Sequence, residues 1–411
     1  MSSEKDIMAA NVKTSIIILS DTHGMALDRK IPNQVADVCI HAGDLTEASK
    51  LEEFRSAVTL LRGIDAPLKL VIAGNHDFTL DTASFQSKIR QIKPPLEPDL
   101  VKKFYGDYEE ARQLLVDAKE HGIHLLNEGT HDFVLHNGAR LRVYASPYTP
   151  SLGGDWGFQY HPGQGHDFAI KDGTNIVVTH GPPRGVLDRT HTRDRAGCPD
   201  LFAAVARAKP QIHCFGHIHE GWGAKLVAWR RKLSENPSFL ADIDNSESVL
   251  VEQLSTLHES QFDTPQDAAS KNEKLEKHTA QKYCSASYPE NDVGSKTLFV
   301  NASVKGDSET DLHLPWIVHM MLPRGSDTVT RADGSMGQHA TDRTRVANAI
   351  SCSDSGPDTE AMTATQAGEK CLEADHTGMD TQCKLRKQTG RKRALEVEQT
   401  ALQKRRFCDA K

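Results

Sequence analysis

The chain has 411 residues, a formal net charge of −7 and 38% hydrophobic residues, below the roughly 45–50% of an ordinary globular domain. That length allows one large domain with additions or two of ordinary size, and the charge argues against a polyanion binder by charge alone. Eight cysteines are scattered without a C-x-x-C pair, and neither a basic-plus-apolar leader nor an apolar run of bilayer length is present; the expectation is an intracellular protein, cytoplasmic or nuclear, with reduced thiols and no membrane partner.

From about residue 13 to 228 the chain reads as alternating strands and helices. Five apolar runs read as buried strands, each followed at once by a polar segment. Ser15–Ser20 leads to Asp21-Thr22-His23, and Val38–His41 to Gly43-Asp44. Leu68–Ala73 leads to Gly74-Asn75-His76-Asp77, Ile176–Thr179 to His180-Gly181-Pro182-Pro183, and Ile212–Phe215 to Gly216-His217-Ile218-His219. Between them, Ser49-Lys50-Leu51-Glu52 has a capping-box pattern, followed by a helical face of Leu51, Phe54, Val58 and Leu61. One more helix is predicted within Asp99–Ala118, with Leu114, Leu115 and Ala118 inward. Asn137-Gly138 predicts a type I′ hairpin between Asp132–Leu135 and Leu141–Tyr144, and Pro199 opens a helix through Ala208. Strands arriving first by βα alternation and later by hairpins predict an α/β sheet with antiparallel additions.

After Trp229 the composition turns polar. Residues from about 230 to 296 read as a surface insertion with one amphipathic helix near Ser246–His258, since the stretch lacks apolar residues for a core of its own. Strands return at Thr297–Val300 and Leu314–Met321, so one domain spans about 13–323 around the insertion. From about Arg324 onward Ser, Thr, Gly and Asp dominate, and a disordered tail is expected over 324–411. Its end carries two basic clusters, Lys384 to Arg393 and Lys404-Arg405-Arg406, consistent with nuclear import, a nucleic-acid patch or a solvated basic helix.

Carboxylates, imidazoles and a carboxamide at successive strand ends can converge, because ligands of open α/β sheets gather beyond the strands' carboxyl ends. The donor types suit divalent metals, with Mn, Zn, Fe and Mg all open. Hydrolysis of a phosphoester needs what two such ions supply: an ionised bridging water and a clamp on the phosphoryl oxygens. Asp44, alone at a strand end after Gly43, is the best candidate for the shared carboxylate. Asp21 with His23, and His217 with His219, have i, i+2 spacing that puts both side chains of an extended segment on one side. Asn75 is a neutral donor, and Asp77 is placed to orient the His76 imidazole.

In this order the segments resemble the calcineurin-like metallophosphoesterase superfamily, whose pattern runs D-x-H, G-D, G-N-H-[DE], H and G-H-x-H. The likeness spans about residues 15 to 220, and Leu298 to Ser303 resembles the family's closing strand. It implies a four-layer α/β/β/α sandwich with two central mixed sheets. It also implies one metal on Asp21, His23, Asp44 and His219, a second on Asp44, Asn75, His180 and His217, and His76 as catalytic imidazole with Asp77 orienting it. Protein Ser/Thr phosphatases of this superfamily carry G-D-x-x-D-R-G and an arginine before G-N-H-E; here the segments read Gly43-Asp44-Leu45-Thr46-Glu47 and Ala73-Gly74, without those arginines. The wording is similar instead to small metallophosphoesterase-domain proteins of animals and fungi, which resemble class III cyclic-nucleotide phosphodiesterases. A binuclear phosphodiesterase acting on small phosphodiesters such as cyclic nucleotides is therefore expected. A weakly active scaffold and a nucleic-acid-processing phosphoesterase are the alternatives. Arg184 as a phosphate contact and Trp156 or Trp222 as a base-stacking ring are weaker readings than ordinary packing, while residues 155–158 read equally as a substrate rim or a structural loop. Nothing in the chain specifies the oligomeric state.

Overall fold

A computed structural model describes residues 11–27, 31–154, 156–306 and 312–325. The expected tail from 326 onward, with both basic clusters, lies outside the described residues.

The layering follows from alternation. In strand β1 (Val12–Leu19), Ile16 and Ile18 face one apolar layer while Ile17 and Leu19 face another, and all four are buried. A strand apolar on both faces has to be covered on both. Further strands are β2 (Val38–His41), β3 (Leu68–Val71), β4 (Ile123–Leu125), β5 (Gly129–Val134), β6 (Arg140–Ser146), the short β7 (Thr149–Pro150) and β8 (Gln159–Tyr160), then β9 (Ile176–Thr179) and β10 (Ile212–Phe215). β11 (Gly223–Trp229), β12 (Ile243–Gln253), β13 (Cys284–Ser287), β14 (Lys296–Asn301) and β15 (Trp316–Leu322) complete them. The helices are α1 (Leu51–Arg62), α2 (Thr82–Gln91), α3 (Pro98–Tyr105), α4 (Glu110–Asp117), α5 (Pro199–Ala208), α6 (Leu254–Leu257) and α7 (Pro265–Gln281).

One sheet has the order β13-β15-β1-β2-β3-β4 and the other β12-β11-β14-β10-β9-β6-β5. Both are mixed: β1 to β4 run parallel, with β15 antiparallel to β1, and β14, β10, β9 and β6 run parallel, with β11 and β5 antiparallel at the flanks. Ile16, Ile40 and Leu70 of the first sheet pack on Val143, Val178, Cys214 and Val300 of the second. The outer face of the first sheet lies under Phe54 and Leu61 of α1 and Leu115 of α4, and that of the second under Leu201, Phe202 and Val205 of α5. The fold is an α/β/β/α sandwich with two central mixed sheets.

Local details depart from expectation in four places. Ser49 does not cap α1: its hydroxyl bonds Thr79, and Glu53 instead accepts from the backbone N–H groups of Lys50 and Ala48. The helix expected within Asp99–Ala118 is α3 and α4, separated at Gly106, whose φ of 77° breaks the helical path. In the turn joining β5 to β6, Gly138 has positive φ, 83°, and Asn137 does not, and the Gly138 N–H donates to Leu135 O. The turn is therefore a tight turn closed by a left-handed glycine, since type I′ needs positive φ at Asn137 as well. The helix expected near Ser246–His258 is the strand β12 followed by the single turn α6. β12 pairs antiparallel with β11 and β13 pairs with β15, so the polar stretch 230–296 forms the outer strand of each sheet. The described cysteines, Cys39, Cys198, Cys214 and Cys284, are free and buried.

Candidate metal centre

The carboxyl ends of β1, β2, β3, β9, β10 and β14 open onto one place. The two sheets are joined there: Ser20, after β1, bridges Ser303, after β14, with Ser20 N–H donating to Ala302 O at 2.9 Å and Val304 N–H to Ser20 O at 2.9 Å. Past those ends the chain turns sharply. Asp21, His23, Asp44 and His217 all take positive φ, at 55°, 47°, 53° and 68°, a region that costs non-glycine residues on the order of 1–3 kcal/mol each. The adjoining glycines explain how the turns pack. A Cβ on Gly74 would lie 2.2 Å from Asp44 Oδ1, and one on Gly216 would lie 2.0 Å from Asp21 Oδ2; only glycine lets these segments touch.

Among the described residues the predicted ligands gather in two groups, and a third set, His23, Glu47 and His76, shares His23 with the first. Donor atoms of Asp21, His23 and His219 lie within 4.8 Å of one another, as do those of Asp44, His180 and His217. Asp44 stands between the groups, its Oδ2 3.3 Å from His180 Nε2 and 3.8 Å from His23 Nε2. Asn75 Oδ1 joins the second group, 2.9 Å from His180 Nε2. Backbone and hydroxyl donors aim the carboxylates: His217 N–H and Ser303 Oγ donate to Asp21, and His76 N–H donates to Asp44 Oδ1 at 2.8 Å. His180 Nδ1 faces Ala42 O at 2.9 Å; a carbonyl only accepts, so Nδ1 carries the proton and Nε2 is the end turned to the site.

Burial would raise the carboxyl pKa values of Asp21 and Asp44, but the neighbouring imidazoles, His219 for the first and His180 for the second, hold both below the usual range. Burial likewise acts to lower His180, yet the Asp44 charge raises it to about 9. Burial lowers His217 to about 3, leaving it neutral and able to donate a lone pair. His23 Nε2 is buried without a hydrogen-bond partner, and Nδ1 is 3.0 Å from Glu47 Oε2. Two buried carboxylates, a carboxamide oxygen and an imidazole nitrogen lacking a partner form a donor set that fits divalent cations.

All nine residues read from the sequence converge here except for one in its role. Asp77 does not face the His76 ring. Its carboxylate accepts from Gly74 N–H at 2.8 Å, Thr46 N–H at 2.9 Å, Leu45 N–H at 3.1 Å and the Thr46 hydroxyl, tying the β3 turn to the β2 turn. Adjacent side chains diverge, so neighbours in sequence rarely touch through their functional ends. Burial and the Asp44 charge raise Asp77 to about 7. His76 is oriented instead by its Nδ1, 2.6 Å from Glu47 O. Glu47, given no role in the sequence reading, also places its carboxylate beside His23 and Lys305; its i, i+3 offset from Asp44 carried no distinguishing signal. Trp222 is a core ring packed on Trp316, with its N–H donating to Leu314 O, and Arg184 is exposed. Trp156 does reach the site, stacked on His76.

Residues 14–221 match the family model for calcineurin-like phosphoesterases. The chain belongs to that family. It is 35% identical over 215 residues to the human metallophosphoesterase domain-containing protein 1, a match covering 51% of this chain and 62% of that protein. A probable rhamnogalacturonate lyase C of Emericella nidulans is 32% identical over 217 residues, only 18% of its length. A purple acid phosphatase from yellow lupin seeds overlays with a TM-score of 0.29 at 10% identity, covering 76% of this chain and 55% of that one, too slight a likeness to bear on the chemistry. The chain thus spans less than two thirds of the length of these relatives. Among the described residues no helix is long and apolar enough to cross a membrane.

Proposed function

We propose that the protein is a metal-dependent phosphoesterase that cleaves small phosphodiesters, cyclic nucleotides among them, at a centre of two divalent ions. The observation that supports this reading is the position of Asp44 Oδ2 between the Asp21/His23/His219 group and the His180/His217 group. Asp21, His23, His219 and Asp44 would hold one ion, and Asp44, Asn75, His180 and His217 the other. When bound, the pair supplies an ionised water as nucleophile and neutralises the phosphoryl oxygens.

The chain's own groups do the rest. Asp21 and Asp44 are held anionic by the His219 and His180 imidazoles and aimed by Ser303, His217 N–H and His76 N–H. His76 keeps Nδ1 on the Glu47 carbonyl, so Nε2 is the ring's free end and can give a proton to the leaving oxygen. Substrate size follows from what lines the turns. Ala48 and Ala73, both small and uncharged, stand at the positions where phosphoprotein phosphatases carry gripping arginines.

The test uses the full chain stripped of metal and assayed on bis(4-nitrophenyl) phosphate and on 2′,3′- and 3′,5′-cyclic nucleotides, with Mn²⁺, Zn²⁺, Fe²⁺ or Mg²⁺ added singly. Turnover should vanish on stripping, return with metal at about two ions per chain, and be lost in Asp44→Ala. Hydrolysis that survives both stripping and Asp44→Ala sinks the reading. Full metal loading with no turnover on any ester makes the protein a binding module.

A further inference from the structure

The ring that gives the proton in the reading above, His76, has a neighbour the family motif does not contain. The Trp156 indole stacks on the His76 imidazole with centroids 4.2 Å apart and planes 27° from parallel. The edge of His76 meets His23 at 4.8 Å and 85°. Together with the contact from Nδ1 to Glu47 O, this leaves the ring little freedom to rotate about its axis or swing out of plane.

The loop that carries Trp156 is itself bound to the segment that carries His76. Gly157 N–H donates to Asn75 O at 3.0 Å, and Phe158 N–H to Asp81 Oδ2 at 2.9 Å. A Cβ on Gly157 would lie 2.7 Å from Phe78 Cα, so a glycine is what allows this approach. The backbone N–H of Trp156 donates to Gln159 Oε1 at 3.0 Å, and Lys88 Nζ lies 4.8 Å from the centroids of both the Trp156 and Phe78 rings. Offset stacking is a favoured arrangement for aromatic rings, and it narrows a χ2 torsion that is otherwise broad and roughly two-fold. The indole face that lies on His76 is not available to a nucleobase.

We propose that Trp156 is a positioning residue for proton transfer, holding the His76 imidazole so that Nε2 faces the leaving oxygen of the substrate. This rests on the phosphoesterase reading. In that step water's oxygen forms a P–O bond as the P–O bond to the leaving group breaks. The leaving oxygen takes the Nε2 proton, and a proton released from the attacking water restores the ring after product departs. Misplacing a donor weakens only the help given to a basic leaving group, since a stabilised anion departs without it.

The experiment compares Trp156→Leu and Trp156→Phe with the unaltered full chain on two diesters, 4-nitrophenyl methyl phosphate and phenyl methyl phosphate. Trp156→Leu should lower kcat on the phenyl ester roughly tenfold more than on the 4-nitrophenyl ester, with KM and metal content unchanged, and Trp156→Phe should restore most of the loss. An equal fall on both esters means a general structural role, and a rise in KM alone means the indole binds substrate; either overturns the proposal. A second readout needs no turnover. In the metal-free full chain, the His76 ring protons, assigned by loss in His76→Gln, should be shifted upfield by the indole and move back in Trp156→Leu. Identical His76 resonances in the two proteins overturn the proposal. Failure of the unaltered chain to hydrolyse either ester with any metal is instead failure of the phosphoesterase reading, and the ring shifts then decide whether Trp156 orients His76.

Discussion

Ser303 Oγ donates to Asp21 Oδ2 at 2.8 Å, joining residues that stand 282 positions apart in the chain. The hydroxyl fixes one oxygen of a candidate ligand, and outer partners of this kind typically contribute tenfold to a hundredfold in metal affinity. Ser303→Ala should therefore weaken binding at the Asp21 group about tenfold while the Asp44 group keeps its ion. Titration of the stripped chain with Mn²⁺, followed by paramagnetic resonance, would read the two affinities separately. Equal weakening of both would point to a general loosening of the sheet ends.

Gly216 offers a sharper perturbation. An alanine Cβ there would stand 2.0 Å from Asp21 Oδ2 and 2.2 Å from Ser20 Oγ. Both atoms belong to groups already hydrogen-bonded, so the clash cannot be relieved by a flexible tip. Gly216→Ala should lose the metal at the Asp21 group and lower stability by about 1–3 kcal/mol, read as metal content and the urea midpoint. A variant with full metal content would show that the turn gives way more readily than its packing implies.

The buried His213 predicts how the fold responds to acid. Thr179 Oγ1 donates to Gly181 O and so accepts from His213 Nε2, while His213 Nδ1 is buried with no hydrogen-bond partner. Burial lowers its pKa from 6.5 to about 3. Above 6.5 the folded and unfolded chains both hold it neutral, with no effect on stability. Between 6.5 and about 3 only the unfolded chain takes the proton, so stability falls as pH falls, by about 2 kcal/mol at pH 5 from this group. Urea midpoints of the stripped chain at pH 7 and pH 5 should differ less in His213→Gln than in the unaltered protein. An unchanged difference would mean that other groups carry the acid response.

Within the polar stretch 230–296, individual residues should differ widely in cost. Tyr288 is buried in the layer between the sheets and donates to Lys296 O at 3.1 Å. Phe262 is 85% exposed. Tyr288→Ala should destabilise by about 3–5 kcal/mol, and Phe262→Ala should be nearly neutral, both measured by urea unfolding. A neutral Tyr288→Ala would mean the stretch can detach without disturbing either sheet.

The strands that lie in the middle of the sheets could be read directly because they are apolar on both faces. Val38–His41, Ile176–Thr179 and Ile212–Phe215 are strands over those same residues. The polar segments after them do meet, since the ends of neighbouring parallel strands are level by construction. β12 was misread because it is an edge strand, exposed along most of its length, and lacks the alternation that burial imposes. Asp77 was misassigned for a different reason: adjacency in sequence says nothing about where two divergent side chains end. Glu47, Ser303 and Trp156 act through contacts between elements distant in sequence, and no spacing rule reaches those. Their types are also unremarkable singly, a glutamate, a serine and a tryptophan among many polar or aromatic residues.

The left-handed backbone at Asp21, His23, Asp44 and His217 sets two selective pressures against each other. Glycine at any of these positions would relieve strain and raise heat resistance, while removing a donor from the centre. A population selected only for survival at high temperature would drift toward glycine there, and would arrive at a sturdier protein with fewer donor atoms in the candidate centre.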